Sequence, residues 1–426
     1  MQRHFHARPA RLAQTTVRRA AAAALWLAAL CSGESQEWTR FRGPNGTGIS
    51  EAKSIPTRWT ESDFNWKVAL PGTGHSSPVL WGDRIFLTAA DEAAGRYFVL
   101  CHRAGDGSQL WRKEFMLTPH TRHDYNSLAS STPALDAQRV YVCRFEPEHV
   151  TLFALDHQGS KIWEKDLGRL VSHHGAGTSP IVHEGLVILA NEQDSDSFII
   201  AVDARTGSTR WQTPRRSAGS DYSTPCVYRP GDGAPALIFN SQSHGVSALA
   251  PGTGRVLWEF TEAFDKRSVS SPVLAGDLII GSCGSGGGGN YVVAVRAGDP
   301  ARNRKPERAY EIRRSAPYVP TGLCVGEWLY LWSEAGIVSR VRAATGEVQW
   351  QERAEGNYFS SPVWVDGRLF NVTTGGEVVV VSASDRFEVL ARNPLRESSH
   401  STPAVAGGRM YIRTSRQLFS IGGKGT

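Results

Sequence analysis

Eight of the eleven histidines that follow residue 35 fall in two sets of loops: those leading into the first strand and those joining the second and third strands of a repeated unit. They are His75, His120, His123, His149, His173, His174, His244 and His400. Near neutral pH an imidazole can hydrogen-bond a polar ligand, pass a proton or ligate a metal. Tyr125, Asn126, Asp194, Asp221, Tyr222, Arg267, Tyr318 and Tyr358 occupy the same loops, giving the mixture of aromatic, acidic and cationic groups that binding surfaces use. The ligand- or partner-binding set expected is therefore His75, His123, Tyr125, Asn126, His173, His174, Asp194, Asp221, Tyr222, Arg267, Tyr318, Tyr358 and His400. The competing reading is ordinary polar loop residues satisfying one another and water.

A metal is the narrower alternative. His173-His174 and His123-Asp124, with His75, could converge from adjacent loops, and imidazole with carboxylate suits zinc or a related ion. No pair has the i, i+4 spacing of a rigid helix face or the spacing of a Cys/His knuckle, so no metal is assigned and His123, His173 and His174 stand as weak candidates. Gly284-Ser285-Gly286-Gly287-Gly288-Gly289 satisfies a dinucleotide pattern, but it joins two strand-like runs, whereas phosphate binding needs a following helix. The serines at the repeat starts recur too regularly for a nucleophile and read as strand-start hydrogen bonders. No catalytic residue is assigned.

These loops need a frame, and the repeat supplies it. Eight times between Gly74 and Pro403 a Ser/Thr-rich triplet precedes a strand pair: Ser76-Ser77-Pro78, Ser131-Thr132-Pro133, Thr178-Ser179-Pro180, Ser223-Thr224-Pro225, Ser270-Ser271-Pro272, a worn Pro320-Thr321-Gly322, Ser360-Ser361-Pro362 and Ser401-Thr402-Pro403. A period of this size, filled with short apolar strands and Gly/Asp turns, predicts an all-β, eight-bladed β-propeller with four-stranded antiparallel blades. In the third repeat the strands are expected at 179–183, 186–191, 197–202 and 209–213, with a hairpin at Glu184-Gly185. Propeller geometry then gathers both loop sets on one face.

A tryptophan ends the fourth strand of most repeats, at Trp66, Trp111, Trp163, Trp211, Trp258 and Trp350, with Tyr310 and Leu390 in the divergent copies. Its recurrence predicts a large apolar plug docked between blades. Trp66 precedes the first triplet, and the last repeat stops at Leu418-Phe419-Ser420-Ile421 without a fourth strand. Residues 64–70 are therefore expected to complete blade eight and close the ring.

The run Ala201-Val202-Asp203-Ala204-Arg205-Thr206-Gly207-Ser208-Thr209-Arg210-Trp211 resembles the tryptophan-docking motif of pyrroloquinoline-quinone (PQQ) propellers, with looser copies ending at Trp163, Trp258 and Trp350. Phe41-Arg42-Gly43-Pro44-Asn45-Gly46 is similar to PQQ-like repeat proteins of bacterial envelopes. The resemblance covers about residues 61–426 and bears on fold more than on function. It implies either a quinoprotein dehydrogenase using PQQ and calcium, or a non-catalytic scaffold like the propeller lipoprotein of the outer-membrane barrel-assembly machinery. The quinoproteins hold the quinone against a disulfide of adjacent cysteines. Here Cys101, Cys143, Cys226, Cys283 and Cys324 are all separated, and no residues match the Glu/Asn/Asp calcium set. No cofactor is expected, with PQQ and calcium as the alternative.

Residues 1–35 carry Arg18-Arg19, an apolar run from Ala20 to Leu30 and small residues at Ser32, Gly33 and Ser35, the pattern of a signal peptide. The run is too short for a stable membrane span. A lipid anchor at Cys31 is disfavoured because Leu30 stands where a small residue is wanted. Cleavage removes five arginines and one glutamate, so the net charge falls from +6 to +2 and no electrostatic case for nucleic acid remains. The expected layout is a signal peptide at 1–35, an extension at 36–60 and the propeller at 61–426. The expected protein is a periplasmic or secreted monomer that presents its loop face to a protein, polar small molecule or glycan. A quinone- or metal-dependent oxidoreductase and a carbohydrate-binding or carbohydrate-processing propeller are the alternatives.

Overall fold

Each Ser/Thr triplet leads into an innermost strand of two or three residues, after which a tight turn reverses the chain into longer strands. The structure, a computed structural model, describes residues 1, 2, 4, 37–231 and 233–423. The expected apolar leader and Cys31 lie outside the described residues. In the third repeat Ile181–His183, Leu186–Asn191, Ser197–Asp203 and Thr209–Arg215 pair antiparallel in chain order. Glu184 and Gly185, with φ of 47° and 74°, make the two-residue turn that their sequence announces. Eight such sheets form, so the eight-bladed all-β propeller holds. Among the described residues the only helices are four 3-10 turns of three residues each, and no helix is long and apolar enough to cross a membrane.

The middle strands are apolar without alternation because every blade is covered by a neighbour on both faces. Val187, Ile188 and Leu189 are successive residues and all are fully buried. Where the third strand meets the fourth, the register slips at the same place in seven blades, for example between Ala201 and Val202 and between Arg340 and Val341. Such a bulge bends and twists the strand that follows. Here it lies just before the docking tryptophan.

Those tryptophans do more than fill space. The indole Nε1 of Trp66, Trp111, Trp163, Trp211 and Trp350 donates to a carbonyl of the next blade, at Ala104, His157, Ala204, Pro251 and Ser384. Tyr310 substitutes with its hydroxyl, donating to Ala343. Except for Trp350, which packs on Phe387, each of these rings also lies on a turn glycine of that blade. A Cβ at Gly207 would sit 2.7 Å from Trp163, and Gly207 holds φ of 72°, so both the space and the backbone require glycine. Trp258 packs its ring on Gly298.

The ring closes at its rim as expected. Trp66–Ala69 is the outer strand of blade eight and pairs antiparallel with Gln417–Gly422, Trp66 opposite Ser420 and Ala69 opposite Gln417.

The chain ahead of that strand closes the hub. Trp38, fully buried, bridges Leu80 of blade one, and Thr39 accepts from Leu135 of blade two. The Arg40 guanidinium donates to Pro225 of blade four, and Asn45 exchanges two hydrogen bonds with Val227. Arg42, fully buried, donates to the Thr321 and Gly322 carbonyls of blade six at 2.6 and 2.8 Å. Ile49–Ser50 then adds a parallel strand to Val363–Val365 of blade seven, and Ser54 donates to Gly408 of blade eight. Residues 38–54 thus lace together the inner strands of six blades. Burial lowers the Arg42 pKa to about 9 and that of Arg40 to about 10, yet both stay cationic near neutrality with carbonyl partners.

Candidate functional site

Strand alternation converts the triplets into a two-tier wall. In an extended chain residues i and i+2 share a face, so the residue before each Ser/Thr pair and the second member of the pair point the same way. The preceding residues, His75, Ser130, Gly177, Tyr222, Val269, Val319, Phe359 and His400, all line one axial cavity of about 940 Å3. Ser77, Thr132, Ser179, Thr224, Thr321, Ser361 and Thr402 line it as a second tier, and Phe41 of the hub segment joins them. The first hydroxyl of the pair bonds a backbone carbonyl instead, Ser76 donating to Thr88 and Ser360 to Val372 within the blade, and Ser131 to Thr178 at the entry of the next blade.

The lower tier is knitted blade to blade. The backbone N–H of Ser77 donates to Thr132 Oγ1, that of Thr132 to Ser179 Oγ, that of Thr321 to Ser361 Oγ and that of Ser361 to Thr402 Oγ1, at 2.9 to 3.0 Å. Thr321 Oγ1 accepts likewise from Ser271. The serines and threonines of the repeat are hydrogen bonders at strand starts, as their recurrence indicates.

The upper tier is uneven. Phe359, His400 and His75 stand on consecutive blades seven, eight and one, with ring centroids 5.0 Å (Phe359 to His400) and 4.4 Å (His400 to His75) apart. Tyr125 packs 5.0 Å from Phe359, and His123 stacks on His174 at 5.6 Å. Burial holds His75 well below the ordinary histidine value, assisted by His400, Arg413 and Arg122. His400 is lowered by burial, and His174 by burial and then by Arg267 and His123. Burial thus favours the neutral form of His75, His174 and His400, as aromatic rings with polar edges.

Blades four to six carry the opposite wall. Arg267 lies 5.8 Å over the Tyr222 ring and against Tyr318. Lys266 donates to the carbonyls of Gly288 and Gly289, tying down the glycine-rich segment, which is a hairpin loop between Leu278–Cys283 and Tyr291–Arg296. Glu334 accepts from the Tyr318 and Val319 N–H groups, and burial raises its pKa against those donors.

Of the expected binding set, His75, His123, Tyr125, Asn126, His174, Tyr222, Arg267, Tyr318 and His400 line the cavity. Four do not. Tyr358 is fully buried against Trp332 and its hydroxyl donates to Glu355; its neighbour Phe359 faces the cavity instead. His173 points outward, 87% exposed, with Nδ1 2.9 Å from Asp194, so His123, His173 and His174 do not converge. Asp194 fastens that loop: burial works to raise its pKa, but donors from His173 and Ser220 outweigh this and hold it at about 2. Asp221 is buried between blades, accepting from the Ser268 and Gln242 N–H groups, with its pKa pushed up by burial and by Glu192. Among the described residues no group of three or more His, Cys, Asp or Glu is arranged to hold a metal.

Phe41, Gln242, Lys266, Glu334 and Phe359 line the cavity outside the expected set; Gln242, Lys266 and Glu334 are polar residues of the same loop sets that were passed over, whereas Phe41 and Phe359 are apolar. Phe359 was accessible from the alternation rule, since it immediately precedes Ser360-Ser361. Phe41 was not, because nothing in a repeat tells where a preceding segment lies.

Comparison with known proteins agrees with this geometry. A family profile described as outer membrane protein assembly factor BamB matches residues 97–352 and 334–421. BamB from Moraxella catarrhalis superposes with a TM-score of 0.60 at 14% identity, covering 84% of this chain and 97% of that one. A europium-containing methanol dehydrogenase gives 0.65 at 11% identity, covering 91% and 98%. Among curated proteins, a polyvinylalcohol dehydrogenase of a Pseudomonas species is 23% identical over 260 residues, which is 50% of this chain and 39% of that protein. The serine/threonine-protein kinase AfsK of Streptomyces griseus is 31% identical over 102 residues, 24% of this chain and 12% of the kinase. The chain thus spans well under half the length of these two relatives, and identities this low to the solved structures carry fold alone. With blades, docking tryptophans and profile in agreement, the chain belongs to the PQQ-like β-propeller family whose profile bears the BamB description.

Proposed function

We propose that this protein is an exported, non-catalytic binding scaffold whose axial cavity takes a polar ligand or an inserted segment of a protein partner. The observation that carries the proposal is the cavity itself: about 940 Å3, walled by mutually tilted, packed rings on one side and by Arg267, Tyr222 and Tyr318 on the other. That size lies at the upper end of the range for small-molecule sites, about 300–1,000 Å3, and the mixture of rings with a few polar groups suits recognition. The histidines on this wall contact rings and backbone: His400 Nδ1 meets the Tyr125 carbonyl, and His123 Nδ1 accepts from the Tyr125 N–H.

The lining does not fit PQQ with calcium. No cysteine lines the cavity to make the adjacent-cysteine platform. Of its two carboxylates, Glu334 is engaged by backbone N–H groups and Asp265 by the Tyr291 hydroxyl. Purified protein given PQQ, calcium and an alcohol is expected to reduce no dye; clear turnover overturns the non-catalytic reading. Export is checked by fractionating cells that express the full chain, with recovery outside the cytoplasm expected and a cytoplasmic product of full mass counting against it.

A further inference from the structure

We infer that the axial cavity recognises a uronate, a sugar ring carrying a carboxylate. This rests on the binding role proposed above and assigns that site a ligand class. Three features of the lining converge on it.

The first is the hydroxyl tier. Thr132, Ser179, Thr321, Ser361 and Thr402 each accept a backbone N–H, and among the described residues none gives its own proton to a protein acceptor. Ser77 Oγ is buried with no partner at all. A hydroxyl whose oxygen is engaged still has a donor to offer. A ring of such donors about the axis selects a ligand with acceptor oxygens distributed around its rim. Sugars have that shape, whereas a flat aromatic acid bears acceptors only at its substituents.

The second is Arg267. Lys266 is committed to two carbonyls, but Arg267 has no ion-pair partner among the described residues, and its Nε is buried without a hydrogen bond. The Tyr222 hydroxyl beneath it is also buried, with the Ser172 side chain close by but no well-formed hydrogen bond. A guanidinium presents its N–H donors in a planar fork that matches a carboxylate. Arg267 feels the buried Asp221 and the Tyr318 hydroxyl but forms no ion pair, and the lining carboxylates Glu334 and Asp265 are engaged elsewhere, so it is the lining cation able to meet an added anion.

The third is the ring wall on the far side, Phe359, His400 and His75, whose planes tilt by 35° and 45° to one another. Neutral rings offer an apolar face to the C–H side of a sugar.

The test is calorimetric titration of the full mature protein with a trigalacturonate, with the neutral galactose trimer of the same linkage, and with PQQ. The uronate is expected to bind at least tenfold more tightly than the neutral trimer. Arg267→Gln should abolish that preference without moving the melting temperature, and Phe359→Ala should weaken both sugars by a similar factor. Equal affinity for the two trimers, an unchanged preference in Arg267→Gln, binding of PQQ alone, or no binding of any of the three would each overturn the inference. The broader reading is tested separately by a photo-crosslinker at Tyr125 on the cavity mouth. If no sugar binds but a competable adduct still forms there, the uronate assignment fails and the scaffold stands; PQQ binding with alcohol turnover removes both.

Discussion

The ring is locked twice, and the two locks are written in different languages. At the rim, closure uses the repeat: Trp66–Ala69 takes the place of a fourth strand, and its Trp66 docks on Ala104 and Gly107 of blade one, as Trp163 does on Ala204 and Gly207. At the hub, closure uses residues that occur once: Trp38 reaches the inner strand of blade one, Arg40 and Asn45 that of blade four, and Arg42 the carbonyls that lead into that of blade six. Repeated residues do repeated work, which is structural. Groups that occur once, such as Phe41 of the hub segment, Arg267 and Phe359, are free to make one side of the axis unlike the other.

The largest effect expected is at the rim. Deleting residues 61–70 leaves Gln417–Gly422 as an unpaired edge and removes Trp66, and should lower the melting temperature by well over 10 °C or abolish a cooperative transition. Trimming 424–426 should leave the melt unchanged. Similar melting temperatures for the two truncations would mean that the strand exchange does not close the ring.

Next is a single interior lock. Trp211→Ala removes a buried ring, its hydrogen bond to Pro251 and its contact with Gly254, at a cost of about 3–5 kcal/mol in denaturant unfolding. Arg42→Met tests the hub by the same measurement. It strands the Thr321 and Gly322 carbonyls, so a loss of about 2–4 kcal/mol is expected. A change under about 0.5 kcal/mol would show that the segment merely rests on the ring.

The smallest effect is the pH response of the ring wall. An unfolded histidine titrates near pH 6.5, while His75 and His400 are held lower in the folded protein by burial. Below about pH 6.5 the unfolded chain therefore binds more protons than the folded one. Stability contributed by these groups is present at neutral pH and falls on acidification, by at most about 1.4 kcal/mol per pH unit for each histidine. Asp221 and Glu334, both raised, run the other way, since acid relieves them. The informative quantity is thus the difference between wild type and His75→Gln/His400→Gln, which should show a flatter loss between pH 7 and pH 5. Parallel profiles would place the two imidazoles in a wetter environment than their stacking implies.

Much of this molecule was legible from the sequence, for a local reason. The four strands of the third blade, the turn at Glu184-Gly185, the docking tryptophans and the exchange at Trp66 all follow from period, turn chemistry and an unpaired last repeat. Nine of the thirteen residues expected on the loop face line the cavity. Three of the four residues that do not line it differ by one position in direction, while Asp194 is spent on fastening its loop. Tyr358 and Phe359, His173 and His174, and Asp221 and Tyr222 are neighbours in which the second faces the axis while the first is spent on the core or on its own loop.

What the sequence alone determined is the blade, since a blade is built from residues close in the chain whose pattern states their partners. What only the tertiary structure decided is the hub: which side of the axis is cationic, which is aromatic, and that Phe41 and Arg42 lie across the inner strands. Those contacts join residues separated by as many as 354 positions. No local periodicity encodes them. They arise only when eight blades curve into a circle and bring the starts of their inner strands to one point.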